Sequence, residues 1–202
     1  MSDTGLMRGK RGLIMGLANN RSIAWGIAKA CHSHGAQLAF TYQGDALRKR
    51  VEPLAQEVGG LVAGHCDVTE SSTVDAAFDA VKNAWGSLDF VVHAIAFSDK
   101  GELDGRYVDT TADNFTKTML ISCYSFTAIA QRAEKLMTNG GALLTLTYFG
   151  AEKWMDWQTT TLWPAVRIVF LGIVRTPPEK RDNTAIAAAL RVTPSEAIRY
   201  LK

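Results

Sequence analysis

Cysteine is scarce in this sequence, and where it occurs it is poorly arranged for bonding. Cys31, Cys66 and Cys123 are odd in number, widely spaced and free of any C-x-x-C pair. Neither a disulfide framework nor a zinc site is indicated, no metal is expected, and a reducing cytosol fits. Charge of one sign is also missing: 22 basic residues against 20 acidic ones leave a net charge of +2, with no electrostatic footprint for nucleic acid or an anionic membrane surface. Long apolar runs are absent as well. The N-terminal segment has no extended apolar stretch, and the longest such run of the tail, Ile168–Val174, is far too short to cross a bilayer. The expectation is a soluble, cytoplasmic protein with no nucleic-acid and no membrane partner. Internal repeats and low-complexity linkers are lacking too, and 202 residues with 47% hydrophobic and 21% charged side chains suffice to bury the core of one globular domain.

What is present is an alternation. RGLIMG (11–16) is a short apolar run ending in glycine, and SIAWGIAKACHSHG (22–35) follows with helical spacing. The spacing predicts strands over 37–43, 61–68, 89–97 and 140–150, and helices over 45–59, 74–86 and 114–137. Strands alternating with helices predict a Rossmann-like α/β fold, a doubly wound parallel sheet with helices on both faces, because parallel neighbours need crossover connections. Residues 1–153 form this dinucleotide-binding core, and 154–202 read as an atypical C-terminal segment of the same domain.

Ligands of such sheets bind beyond the carboxyl ends of the strands. GLANNRSIAWG (16–26) lies at the first of these ends. Gly16 permits a tight turn, and a helix opening near Ser22 offers unpaired N–H groups and a positive dipole end to a pyrophosphate. The segment is not a G-x-G-x-x-G fingerprint, since only Gly16 and Gly26 are glycines. Gly16 is equally readable as a structural turn and Ser22 as a plain helix N-cap.

Six strings in order, GLANNRSIAWGIA, LAFTYQ, CDV, HAIAF, ISCYSF and LLTLTYFGAEK, resemble the bacterial enoyl-acyl-carrier-protein reductases, divergent members of the short-chain dehydrogenase/reductase superfamily. The resemblance covers residues 7–153. It implies that Gly16, Ser22 and Ile23 contact the pyrophosphate, that Gln43 contacts the adenosine ribose, that Asp67 and Val68 flank the adenine, and that Ile95 makes a backbone contact near the nicotinamide-side ribose. Each has a structural alternative: Ile23 and Ile95 as core, Asp67 as a strand-end cap, Gln43 as a solvated loop residue. The implied cofactor is NADH, because TYQGD (41–45) places a neutral amide and an acid where NADP binders place a cation. Arg48, Lys49 and Arg50 follow on a predicted helix, read as a solvated face.

On the substrate side, the resemblance implies hydride transfer to the β-carbon of a trans-2-enoyl thioester on acyl carrier protein, as in fatty-acid synthesis. It names Tyr148 as the first of two active-site tyrosines, with a strand-end core aromatic as the alternative, and Ser98 with the loop 97–111 as substrate-binding, with a solvated surface loop as the alternative. The family then continues with a Tyr-x6-Lys helix that puts both side chains on one face. Counted without a gap, those positions hold Gln158 and Ala165, and Pro164 interrupts the helix. VRIVFLGIVRT (166–176) faintly resembles the family's next strand. AIAAALRVTPSEAIRYL (185–201) has some helix-turn-helix spacing but carries Arg191 at the turn, so a plain amphipathic helix is preferred. Two readings follow: an NADH-dependent enoyl reductase impaired by loss of that helix, or a catalytically inactive nucleotide-binding relative with a binding or assembly role. A homo-oligomer is implied by the family, with one of its two association helices not recognisable here.

Overall fold

Five short apolar runs become five parallel strands, β1 (Arg11–Met15), β2 (Gln37–Tyr42), β3 (Leu61–His65), β4 (Phe90–His93) and β5 (Ala142–Thr145), in the order β3-β2-β1-β4-β5. The computed structural model describes residues 5–104 and 106–147. Everything read above for 148–202, including Tyr148 and the segment 154–202, lies outside the described residues. Two units are distinguished, residues 1–97 with 120–146 and residues 98–119 with 147–202.

The first unit holds all five described strands with α1 (Ile23–Ser33), α2 (Gly44–Glu57), α3 (Ser71–Trp85) and a later helix, Ser125–Ala133. The central strands β1 and β4 are buried almost throughout, as a sheet covered on both faces requires. Alternate side chains sort into two cores. Leu13, Met15, Ala39 and Val91 pack with Val74, Ala77, Phe78 and Val81 of α3 and with Ile129 and Ala133. Ile14, Leu38, Phe40 and Val92 pack with Ala24, Trp25 and Ala28 of α1 and Val51 and Ala55 of α2. The predicted doubly wound α/β architecture is therefore the observed one.

Strands stop earlier than the apolar runs do, because pairing partners run out. At Gly16 the backbone takes φ +90°, so β1 ends at Met15 and the register of β4 ends at His93, its match for both Met15 and Thr145, with one last bond from Ala94 N to Met15 O. In the same way β3 ends at His65, opposite the last residue of β2.

The predicted helix over 114–137 is interrupted. α4 (Ala112–Met119) belongs to the second unit, and the first unit contains a π-helical turn, Leu120–Tyr124, followed by α5 (Ser125–Ala133). Serine hydroxyls compete with helix ladder bonds, and here Ser125 Oγ donates to Ile121 O at 2.6 Å while Ser122 Oγ bonds the Phe97 backbone.

In the second unit, two 3₁₀ turns, Lys100–Glu102 and Tyr107–Asp109, precede α4. Buried Asn114 of α4 organises them: its Oδ1 accepts from Asp99 N at 2.8 Å, and its Nδ2 donates to Glu102 Oε2 and Ser98 Oγ, each at 3.2 Å. Glu102 in turn accepts from the Thr111 amide and hydroxyl, which hold its carboxyl below the usual range. The loop is held by its own hydrogen bonds, not merely solvated.

Candidate functional site

Helices α1 and α2 cover one face of the sheet and α3 and α5 the other. The direction of winding reverses between the neighbouring strands β1 and β4, and in an open parallel sheet the crevice at the carboxyl ends beside that reversal is the ligand site. Gly16 leaves β1 there, Ala94–Phe97 leave β4, and Gln43 and Asp67 lie at and just beyond the ends of β2 and β3.

At Gly16, glycine is demanded twice over. Its φ of +90° strains any other residue, and a Cβ would collide with the Ala94 carbonyl oxygen and stand 3.2 Å from Ile95 N. The turn and the exit of β4 are thus in contact, and the chain then folds back at Ser22. That residue occupies the N-cap position of α1 but makes no capping bond. Its Oγ instead accepts from Ala18 N at 3.1 Å and Asn19 N at 3.0 Å, closing the loop. Its own proton and the N–H groups of Ile23 and Ala24 have no partner among the described residues, since the turn's bonds to Ser22 O come from Trp25 and Gly26. An anion fits such a helix start, where dipole and free donors coincide. Ile23 is 68% exposed, which rules out its core alternative, whereas Ile95 is half-buried against the α3/α5 core and reads both ways.

Gln43 and Asp67, which the sequence separates by a strand and a helix, meet at 2.7 Å through Gln43 Nε2 and Asp67 Oδ2. Asp67 Oδ1 accepts from the Thr69 amide at 2.9 Å and hydroxyl at 2.7 Å, so it is also the turn-former its structural alternative describes. Partial burial pushes its carboxyl upward, but the Thr69 and Gln43 bonds and nearby His65 outweigh this and hold it below the usual range. With Nε2 committed, the Gln43 carbonyl remains as an acceptor for a hydroxyl. Val68 packs against the α3/α5 core.

Among the described residues no cation is bonded to this pair. Arg48 is bound to Glu52 at 2.7 Å on the exposed surface of α2, and the first N–H of α2, Gly44 N, donates to His65 Nδ1 at 3.0 Å. Ser98 lies in the second unit, where its Oγ is within 3.2 Å of Asn114 Nδ2 and 3.1 Å of Thr118 Oγ1. Tyr148 is beyond the described residues. Among those residues no cluster of His, Cys, Asp or Glu is arranged for a metal, and no helix is long and apolar enough to cross a membrane.

Sequence reasoning missed four polar residues: His65, Ser122, Ser125 and His93. His93 is 0% exposed, with Nε2 2.7 Å from Ser125 Oγ and Nδ1 3.2 Å from Thr145 Oγ1. A lone histidine closing the apolar run FVVH was the available signal, since a buried polar group requires partners. Burial lowers its pKa to about 4.

A family model described as enoyl-(acyl carrier protein) reductase matches residues 16–176, reaching past residue 153. The enoyl-[acyl-carrier-protein] reductase [NADH] 1 of Rhizobium meliloti is 68% identical over 152 residues, 75% of this chain and 56% of the relative. A crystal structure of the enoyl-(acyl-carrier-protein) reductase of Anaplasma phagocytophilum in complex with NAD is similar at TM-score 0.74 and 53% identity, over 81% of this chain and 63% of that one. The Bacillus cereus reductase with NADP+ and an indole naphthyridinone is similar at TM-score 0.75 and 41% identity, over 81% and 65%. The chain spans little more than half the length of the curated relative and under two thirds of either solved chain. With a family model matching most of the sequence and a 68% identical relative aligned to three quarters of it, the chain belongs to the enoyl-(acyl carrier protein) reductase family.

Proposed function

We propose that the chain carries the NADH site of an enoyl thioester reductase, an enzyme that reduces the trans-2 double bond of enoyl groups on acyl carrier protein during fatty-acid synthesis. The observation that carries this reading is the row of groups along the carboxyl edge of the sheet: the Gly16 turn, the free donors at Ser22, Ile23 and Ala24, and the Gln43–Asp67 pair. The donors hold a pyrophosphate, the Gln43 carbonyl accepts from the adenosine ribose, and Asp67 with Val68 borders the adenine. A 2′-phosphate would meet the Asp67 carboxylate, while Arg48 is paired elsewhere and Gly44 N is already bonded. The two solved relatives are named with NAD and with NADP+, so the preference for NADH rests on these groups.

Bound NADH would supply the hydride for the enoyl β-carbon. The negative charge that develops on the thioester oxygen needs a hydrogen-bond donor, and Tyr148 is the residue the family resemblance assigns to it. The helix pairing a second tyrosine with lysine is not readable: Gln158 has no titratable proton and Ala165 no polar group. We therefore read the reductase as impaired. That substitution also favours a second reading, a nucleotide-binding relative without turnover that serves in binding or assembly.

Calorimetric titration with NADH and NADPH, beside NADH oxidation with a crotonyl thioester, separates these. Binding of NADH in preference to NADPH supports the site, and no NADH binding, or tighter NADPH binding, overturns it. Binding without turnover favours the second reading.

A further inference from the structure

The exit of β4 is irregular backbone beside the cofactor crevice, and something must hold it still. Its last bond to the sheet is Ala94 N to Met15 O of β1 at 3.0 Å, and the Ala94 carbonyl and Ile95 N–H abut the Gly16 turn. The two ends of the segment are fastened to the π-helical turn and to the first residue of α5, which follows it directly. At the far end, Ser122 Oγ accepts from Phe97 N and donates to Phe97 O, each at 3.0 Å. At the near end, Ser125 Oγ gives its proton to Ile121 O at 2.6 Å and so must accept from His93 Nε2–H at 2.7 Å. That assigns the tautomer, leaving His93 Nδ1 to accept from the Thr145 hydroxyl. The Phe126 ring closes the pocket edge-on, its centroid 5.5 Å from that of the imidazole. A π turn inside a helix sacrifices ladder bonds and is frequently found at functional sites. Here the widened turn and the residue after it bring two hydroxyls, three residues apart, to His93 and Phe97, the residues that bound the β4 exit.

We propose that the π turn and the start of α5 form a clamp on the cofactor wall: Ser122, Ser125 and His93 are positioning residues that hold Ala94–Phe97 in register for the nicotinamide half of NADH, while the adenine half is held independently by Gln43 and Asp67. The inference rests on the NADH reading above and deepens it. Displacement of a reacting group by about 1 Å costs on the order of a hundredfold in rate, so a backbone wall anchored only at its β4 end would be a poor template.

Ser122→Ala is the sharpest test, because Ser122 is only half-buried and its removal opens no void in the core. On the full chain, the expected result is NADH affinity weakened about tenfold, equivalent to about 1.4 kcal/mol, with affinity for ADP unchanged within about twofold and the thermal midpoint nearly unmoved. Ser122→Thr, which keeps the hydroxyl, should restore NADH binding. Ser125→Ala should show the same split between NADH and ADP together with a clear loss of stability, since it leaves a buried imidazole N–H unpaired. Parallel weakening of NADH and ADP, or no weakening of either, overturns the clamp while leaving the NADH site standing. An unaltered chain that binds neither ligand removes the functional reading and the clamp with it.

Discussion

Replacing His93 by glutamine should flatten the acid side of the stability curve. The amide supplies a donor for Ser125 and an acceptor for Thr145, the two bonds the imidazole makes, but it does not titrate. The groups facing His93 from α5 and β5 are Ser125, Phe126 and Thr145, all uncharged, so burial sets the shift. Burial disfavours the imidazolium and lowers the folded pKa from 6.5 to about 4. Between those values the unfolded chain holds a proton that the folded chain lacks, so stability rises with pH. The contribution is complete above the unfolded pKa, is lost as pH falls, and levels off below the folded pKa. At 1.36 kcal/mol per pKa unit the whole change is about 3 kcal/mol, of which roughly 2 kcal/mol is already lost at pH 5. Carboxylates with lowered pKa values, Asp67, Asp89 and Glu102, also withdraw stability as pH falls through their folded values, but the variant shares them and they cancel. Urea unfolding of both proteins at pH 7, 6, 5 and 4.5, read as free energy in water, isolates His93. The difference between the two should shrink or change sign toward acid by the amounts given. Parallel curves would refute the reasoning and mean that the imidazole takes up its proton inside the fold.

Three further outcomes are expected. Gly16→Ala should fail by destabilising the fold, because its Cβ meets the Ala94 carbonyl before any pyrophosphate is present and φ +90° alone costs about 1–3 kcal/mol; a thermal midpoint unchanged without ligand would contradict this. Asp67→Asn removes the charge that would face a 2′-phosphate and should narrow the proposed NADH preference by roughly fivefold, on the order of 1 kcal/mol for an exposed pair, read as the ratio of two calorimetric titrations. Turnover on a crotonyl thioester should fall at least roughly a hundredfold below the ordinary range of about 1 to 1,000 per second, because one preorganised donor is worth about 2.7–4 kcal/mol; an ordinary rate would mean that the tail supplies its own acid.

What the sequence made legible and what it hid divide along a physical line. Apolar periodicity and the alternation of elements report local preference, so β1, β2, α1, α2 and α3 were placed to within a few residues. Strand ends were overrun at β3 and β4 because termination depends on a neighbour: the FVVHAIAF run has strand-forming character throughout, yet pairing stops at His93 when β1 turns at Gly16. The π turn was invisible for a related reason. ISCYSF has ordinary helical spacing, and only the three-dimensional encounter of Ser122 with Phe97 and of Ser125 with His93 makes the alternative ladder favourable. The same distinction bears on function. Every residue proposed to touch NADH, from Gly16 to Ile95, lies beyond a strand end or at the start of α1 in the first unit, where sheet pairing and two cores define the backbone. The pair whose loss weakens the case for turnover, at Gln158 and Ala165, belongs to the tail. On the proposed reading the NADH contacts draw on one stretch of this chain and turnover needs a second as well, so NADH affinity and the rate of reduction have to be measured separately.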